Sequence, residues 1–155
     1  MSKVQPTVQI SNRKAAHNFF ISDTWEAGIM LTGTEIKAVR EGKANLTDSF
    51  CLFRKEELWV RNIHISAYEH GGYNNHEPRR ERKLLLHAHQ LRKLQSKLRE
   101  KGTAIIPVRM YINDRGFAKL EIGLARGKKQ YDKRESMKQA EAKRELGRVM
   151  KRNRT

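Results

Sequence analysis

The clearest pattern in the chain is an alternation of apolar and other positions in "TAIIPVRMYINDRGFAKLEIGLA". Ala104, Ile106, Val108, Met110 and Ile112 recur at every second position, and after the "NDRG" turn Ala118, Leu120, Ile122 and Leu124 do so again. A period of two puts those side chains on one side of a strand, so the pattern predicts a hairpin with one buried face. Pro107 has no N–H for a ladder and is expected at an edge or a bulge. "DSFCLFRKEELWVRNIHI" (48–65) predicts a second hairpin, two β-rich runs around "RKEE". Upstream, "AAHNFFI" (15–21) reads as a strand that pairs with "EAGIML" (26–31) across an "SDTW" turn.

Helical spacing occurs in two places before the tail. In "LTGTEIKAVREGKAN", Ile36, Val39 and Ala38 share a face, with Thr34 as N-cap and Gly42 as stop. "KLLL" (83–86) leads into a helix marked by Ala88, Leu91, Leu94 and Leu98 and ended by Gly102. Between them, residues 66–81 carry Gly-Gly, Asn-Asn and Pro and read as a long, mobile surface loop. The expected fold is mainly β: about six antiparallel strands closed as an OB-type barrel, with attached helices. The expected division is a loose lead-in over 1–12, the barrel over 13–126 and a basic tail over 127–155. In the tail the alternation stops, and Ala142, Leu146, Val149 and Met150 take up helical spacing among basic residues. So few apolar side chains bury little, so the tail is expected to be disordered when free and partly helical on a partner.

Charge adds the first indication of function. The chain has 33 Lys+Arg against 17 Asp+Glu, a net charge of +16. Residues 123–155 hold 12 basic and 4 acidic side chains, a net of +8, which is half of that excess. This balance favours a polyanionic partner, nucleic acid above all. Cys51 is the one cysteine, which excludes an internal disulfide and a cysteine-based zinc cage. No signal-peptide pattern and no membrane-length apolar run occurs, so a cytoplasmic protein without a membrane partner is expected.

Catalytic patterns are missing. No Gly-rich phosphate loop opens a helix, and no Gly-x-Ser-x-Gly elbow is present. His87 and His89 would point to different faces of a helix, which leaves them poor joint metal ligands. Asp23, Glu26, Glu35 and Asp48 could form a metal-dependent nuclease site, but scattered among cations they are more simply salt-bridge partners. Neither catalysis nor a cofactor nor a metal is expected.

The positive finding is a set of basic clusters: "NRKAAH", "REGKAN", "PRRERK" and "ARGKKQYDKRE". They offer Arg13, Arg40, Lys43, Arg82 and Lys83 as phosphate contacts on the barrel. In the last cluster, Tyr131 lies among cations. Its ring can stack on an exposed base or, alternatively, pack the tail root against the barrel.

The stretches "EIKAVREGKAN" and "GKKQYDKRE", together with "NRKAAHNFFI", "RKLLL", "IPVRMYI" and the ending "RVMK", resemble the SsrA-binding protein family (SmpB), bacterial partners of transfer-messenger RNA. The resemblance spans nearly the whole chain. It implies an RNA-binding, non-enzymatic OB-type barrel that holds the tRNA-like domain of that RNA. It further implies entry into stalled ribosomes with elongation factor Tu, the tail occupying the decoding centre and the empty mRNA path. By position, Asn12, Glu26 and Leu85 match the family's RNA-binding face. Lys128, Lys129, Asp132, Lys133 and Arg134 match its tail motif, and Val149 and Met150 an apolar pair that supports accommodation on the ribosome. Some members carry His where this chain has Tyr131, so a flat ring is kept. A basic structural ribosomal protein is the alternative class.

Overall fold

In the computed structural model, residues 8–127 are described. Nine strands and three α-helices occur among them: β1 (Gln9–Ser11), α1 (Arg13–Asn18), β2 (Phe19–Ile29), α2 (Gly33–Arg40), β3 (Ala44–Asn45), β4 (Phe50–Arg54), β5 (Glu57–Arg61), β6 (His64–Ile65), β7 (Arg82–Leu85), α3 (Ala88–Lys97), β8 (Thr103–Ile112) and β9 (Ala118–Gly127). Antiparallel pairing runs β8-β4-β5-β7-β2-β9, and β9 returns to β8, so six strands close into a barrel. β1 adds to β8 from outside, while β3 and β6 form a separate pair.

The ring has the expected number of strands, though not the expected membership. "AAHNFFI" is not one strand. Asn12 caps a short helix, its side-chain oxygen accepting from the Ala15 N–H at 3.3 Å, and β2 starts only at Phe19. A short apolar run cannot by itself distinguish a helical turn from a strand. Nor is "SDTW" a turn. β2 runs straight through it, with a register shift between Ile21 and Thr24 that places Ser22 and Asp23 opposite Leu124 of β9. The strand lost there is made up by "RKLL", which is β7. The lead-in also ends sooner than residue 12, because the edge of β8 beyond Pro107 is open to pairing and takes up Gln9–Ser11.

The 104–124 hairpin forms as expected, and Pro107 does sit at a bulge: it pairs with Ile122, whereas Arg109 pairs with Glu121. The extra residue reverses the phase of the alternation. Ile105 points into the main core before the bulge, Met110 and Ile112 after it. Ile106, expected on that same face, instead lies outside, in a small cluster with Ala15 and Ala125 that seats α1 on the barrel wall. Beside this cluster, Gly123 leaves room for the neighbouring strands' side chains, since a Cβ there would come within 2.6 Å of Ile21 Cγ2 and 3.1 Å of Val108 Cγ2.

α2 is capped by Thr32 rather than Thr34. Its hydroxyl and the Glu35 carboxylate form a reciprocal capping box. Gly42 stops the helix at φ +75°. Thr34 instead bonds the His76 ring at 2.9 Å, which ties the 66–81 loop to α2. In that loop the Asn75 side chain brackets Tyr68, accepting from its N–H at 3.1 Å and donating to its carbonyl at 2.6 Å. No helix among the described residues is long and apolar enough to cross a membrane.

Candidate nucleic-acid interface

Register assembles a polar patch on the outer wall of the barrel. Along β2, Glu26 and Gly28 point outward between buried Ala27 and Ile29. Glu26 stands opposite Glu121 of β9, which stands opposite Arg109 of β8. Gly28 stands opposite Lys119 on one side and Leu85 of β7 on the other. Tyr111 completes the group, paired with Lys119.

The side chains in this patch hold one another. The Tyr111 hydroxyl donates to Glu26 Oε2, and Arg109 Nε donates to Glu121 Oε2. The Arg109 guanidinium lies over the Tyr111 ring, 4.7 Å from its centroid. Burial and the hydrogen bond to Glu26 push the Tyr111 phenol up to about 12. The bond to Glu121 raises Arg109 above the usual arginine value, so it stays a cation. Beside them Leu85 leaves half of its surface, 51 %, in solvent, and Met30, just past the end of β2, leaves 51 % as well.

The residues expected to bind RNA are distributed unevenly over this geometry. Glu26, Leu85 and Lys83 belong to the outer wall. Lys83 Nζ pairs with Glu57 at 3.4 Å. Arg13 is exposed at the start of α1, two residues beyond Ser11, which pairs with Arg109. Arg40, exposed at the end of α2, approaches the β8–β9 turn at Gly116. Lys43 is held between Glu41 at 3.2 Å and Glu69 at 3.5 Å. Among the described residues Arg13 and Arg40 have no ion-pair partner, which leaves them the freest cations of the set.

Two expectations need correction. Arg82 is not a surface cation: it is fully buried, with Nε on Glu35, Nη1 on the Ile63 carbonyl at 2.9 Å and Nη2 on the Pro78 carbonyl at 3.1 Å. It lies in a mostly basic stretch, between Glu81 and Lys83, but strand alternation turns it inward. Asn12 is likewise buried, its amide donating to the Pro107 carbonyl at 2.8 Å and the Leu46 carbonyl at 3.2 Å while its oxygen caps α1. It supports the wall from inside. Lys128, Lys129, Tyr131, Asp132, Lys133, Arg134, Val149 and Met150 lie outside the described residues. Sequence reading missed Tyr111, Arg109, Glu121 and Lys119. Their signal was only that they occupy the outward phase between buried positions, and nothing local connects them to Glu26.

Cys51 is buried, and burial pushes its thiol far above the ordinary range, so it is a packing residue and not a nucleophile.

A barrel wall combining fixed acceptors, cations and exposed apolar side chains suits accessible bases and sugars as well as phosphates. Comparison with known proteins gives the family. The family model described as SmpB protein matches residues 9–152. The SsrA-binding protein of Bacteroides thetaiotaomicron is 53% identical over 148 residues, covering 96% of this chain and 99% of its own. That of Bacillus cereus is 50% identical over 151 residues, covering 97% of each. Among solved structures, a chain of "tmRNA-SmpB: a journey to the center of the bacterial ribosome" superposes with a TM-score of 0.68 at 50% identity, covering 78% of this chain and 85% of that one. With the fold and nearly the whole sequence in agreement, this chain belongs to the SmpB family of SsrA-binding proteins.

Proposed function

We propose that this protein is the RNA-binding adaptor of trans-translation. Its barrel holds the tRNA-like domain of transfer-messenger RNA, and elongation factor Tu joins the complex that reaches stalled ribosomes in the cytoplasm. The segment beyond Gly127 then occupies the small-subunit decoding centre and the vacant mRNA path. The protein acts by binding, without catalysis or cofactor. The observation that carries this reading is the near full-length match to SsrA-binding proteins, which takes in both the barrel and the "GKKQYDKRE" segment. The outer wall supports it with Glu26, Leu85 and Lys83, and Arg13 and Arg40 are exposed at helix ends away from those three, while the net charge of +16 draws in a polyanion.

Two measurements test the proposal. RNA co-purifying with the native protein should be one small stable species at substoichiometric amounts relative to ribosomes. Stoichiometric retention on ribosomes at high salt would mark a structural ribosomal protein instead. In a tagging assay on ribosomes stalled without an A-site codon, Tyr131→Ala should lower tagging while leaving transfer-messenger RNA binding intact. A stacking plane contributes on the order of 1–3 kcal/mol and little salt dependence. Replacing Lys128 and Lys129 should weaken ribosome engagement in a strongly salt-dependent way, because counterion release sets that interaction.

A further inference from the structure

We propose that a cleft between α1 and the start of β4 receives one unpaired base of ribosomal RNA against the ring of Phe50. This rests on the ribosome-rescue reading above and adds a place where the barrel itself meets the ribosome.

The cleft is a product of the β8 bulge. Before Pro107, the bulge leaves Ala104 and Ile106 on the outside of the barrel, where α1 packs beside them through Ala15. These three side chains, together with Phe19 and Phe50, make a mainly apolar cleft of about 240 Å³. Phe50, the first residue of β4, is left 38 % exposed. Its ring has no aromatic or cation partner among the described residues.

Size and chemistry limit what fits. A cavity of about 150 Å³ holds a benzene ring, and enclosing a drug-sized molecule takes about 300 Å³ or more. The cleft therefore suits one flat ring system. Its lining is apolar at Ala15, Ala104 and Ile106 but also includes polar groups. Lys14 and Asp48 meet there at 3.1 Å, and the half-buried Asn18 side chain has no hydrogen-bond partner among the described residues. An unpaired nucleobase has the same division, an apolar face and a polar edge. An aliphatic side chain of a partner protein would leave Asn18 unanswered. Charge favours RNA as well: α1 has no acidic residue, and Arg13, next to Lys14, has no ion-pair partner among the described residues. It can take the phosphate that flanks the base.

Position indicates which RNA. The tRNA-like domain is assigned above to the wall around Glu26 and Leu85. In the six-strand ring β4 stands opposite β2. Phe19 begins β2 seven residues before Glu26, about 20 Å away along the strand. Phe19 also pairs with Gly127, so the cleft adjoins the point where the chain leaves the barrel for the segment read above as entering the decoding centre. Ribosomal RNA, and not the tRNA-like domain, is thus the occupant.

The test uses the full-length protein with purified small ribosomal subunits and, in parallel, the tRNA-like domain of transfer-messenger RNA. Phe50→Ala should weaken subunit binding about tenfold, as loss of one stacked base does, with an unchanged salt slope. Phe50→Tyr keeps the ring and should bind within about twofold of wild type. Ala104→Leu fills the cleft from its floor and should also weaken subunit binding. All three should bind the tRNA-like domain within about twofold of wild type. In chemical probing of the subunits, one unpaired nucleotide should be protected by wild type and become reactive with saturating Phe50→Ala. If Phe50→Ala and Ala104→Leu bind subunits as wild type does, the cleft is empty on the ribosome and the proposal fails. If binding weakens while every nucleotide keeps its protection, the cleft holds a protein side chain and the proposal also fails. Loss of binding to the tRNA-like domain instead would give the cleft to that RNA and overturn the assignment. A wild-type protein that binds neither RNA would overturn the functional reading itself.

Discussion

Arg82 and Glu35 are charged side chains with no exposed surface, 47 residues apart in the chain and joined by a direct hydrogen bond. Removing such ions from water is unfavourable, and only the completeness of their bonding offsets it. Arg80 adds a second guanidinium at 2.6 Å from Glu35, and the Thr32 N–H donates to it at 2.8 Å. Glu35→Gln should therefore destabilise the fold by about 3–5 kcal/mol in urea titrations at neutral pH, since it leaves Arg82 buried without a counter-charge. Burial alone would raise the Glu35 carboxyl, but the bonds from Arg80, Thr32 and Arg82 outweigh it and hold the group below its ordinary 4.5. A carboxyl lowered by folding contributes stability above its unfolded pKa and loses it as pH falls through the folded value. The gap between wild type and Glu35→Gln should accordingly be full at pH ~7 and narrow below about pH 4. Asn12 leads to a different expectation. Its amide and oxygen are committed to Pro107, Leu46 and Ala15, so Asn12→Ala should cost about 2–3 kcal/mol of folding stability. RNA affinity of the folded fraction should change by less than about threefold. A variant of unaltered melting temperature that binds RNA poorly would instead make Asn12 a direct contact.

The elements that most shape the outer wall are the bulges of β2 and β8. They lie opposite β9 around Gly123, and together they let α1 seat on one end of the wall while Glu26, Glu121 and Arg109 face solvent farther along. Gly123→Ala would force a methyl group into the space of Ile21 and Val108. Overpacking of this kind typically costs about 1–3 kcal/mol. Ile21 is β-branched and cannot swing aside cheaply. Thermal melting should show that loss, and Ile21→Ala in the same chain should recover part of it. No recovery would mean that the strain lies in the backbone and not in the side-chain approach.

At the scale of the whole molecule, the ring closes through β8 and β9, and β9 remains paired with β2 to its last described residue, Phe19 with Gly127. All of the core described above lies within residues 8–127. A chain ending at Gly127 should consequently fold as cooperatively as the full protein and still bind the tRNA-like domain. Its salt slope should be shallower, because residues 128–155 carry 11 basic against 4 acidic side chains. It should fail in the tagging assay. Calorimetry and RNA titration of the two chains side by side check this. An unfolded truncated chain would show that the tail contributes to the core.

What the sequence determined by itself is everything written in local period and charge. The alternation in 104–124, the run around "RKEE" and the leucine spacing of α3 are properties of neighbours in the chain, and they led directly to a mainly β barrel with attached helices. The clustered cations indicated the class of partner, and the motifs indicated the family. Tertiary structure decided which side each strand turns outward, because an added residue in a paired strand moves every following side chain to the opposite face. That is why Ile106 was expected in the core and is found under α1. It also decided which charges meet water: "PRRERK" reads as one basic cluster, yet Arg82 is sealed inside with Glu35 while Lys83 beside it faces out. The Glu26–Tyr111 bond joins residues 85 apart across three strands. No local pattern encodes such a contact, because it exists only once the ring has closed and its register is set.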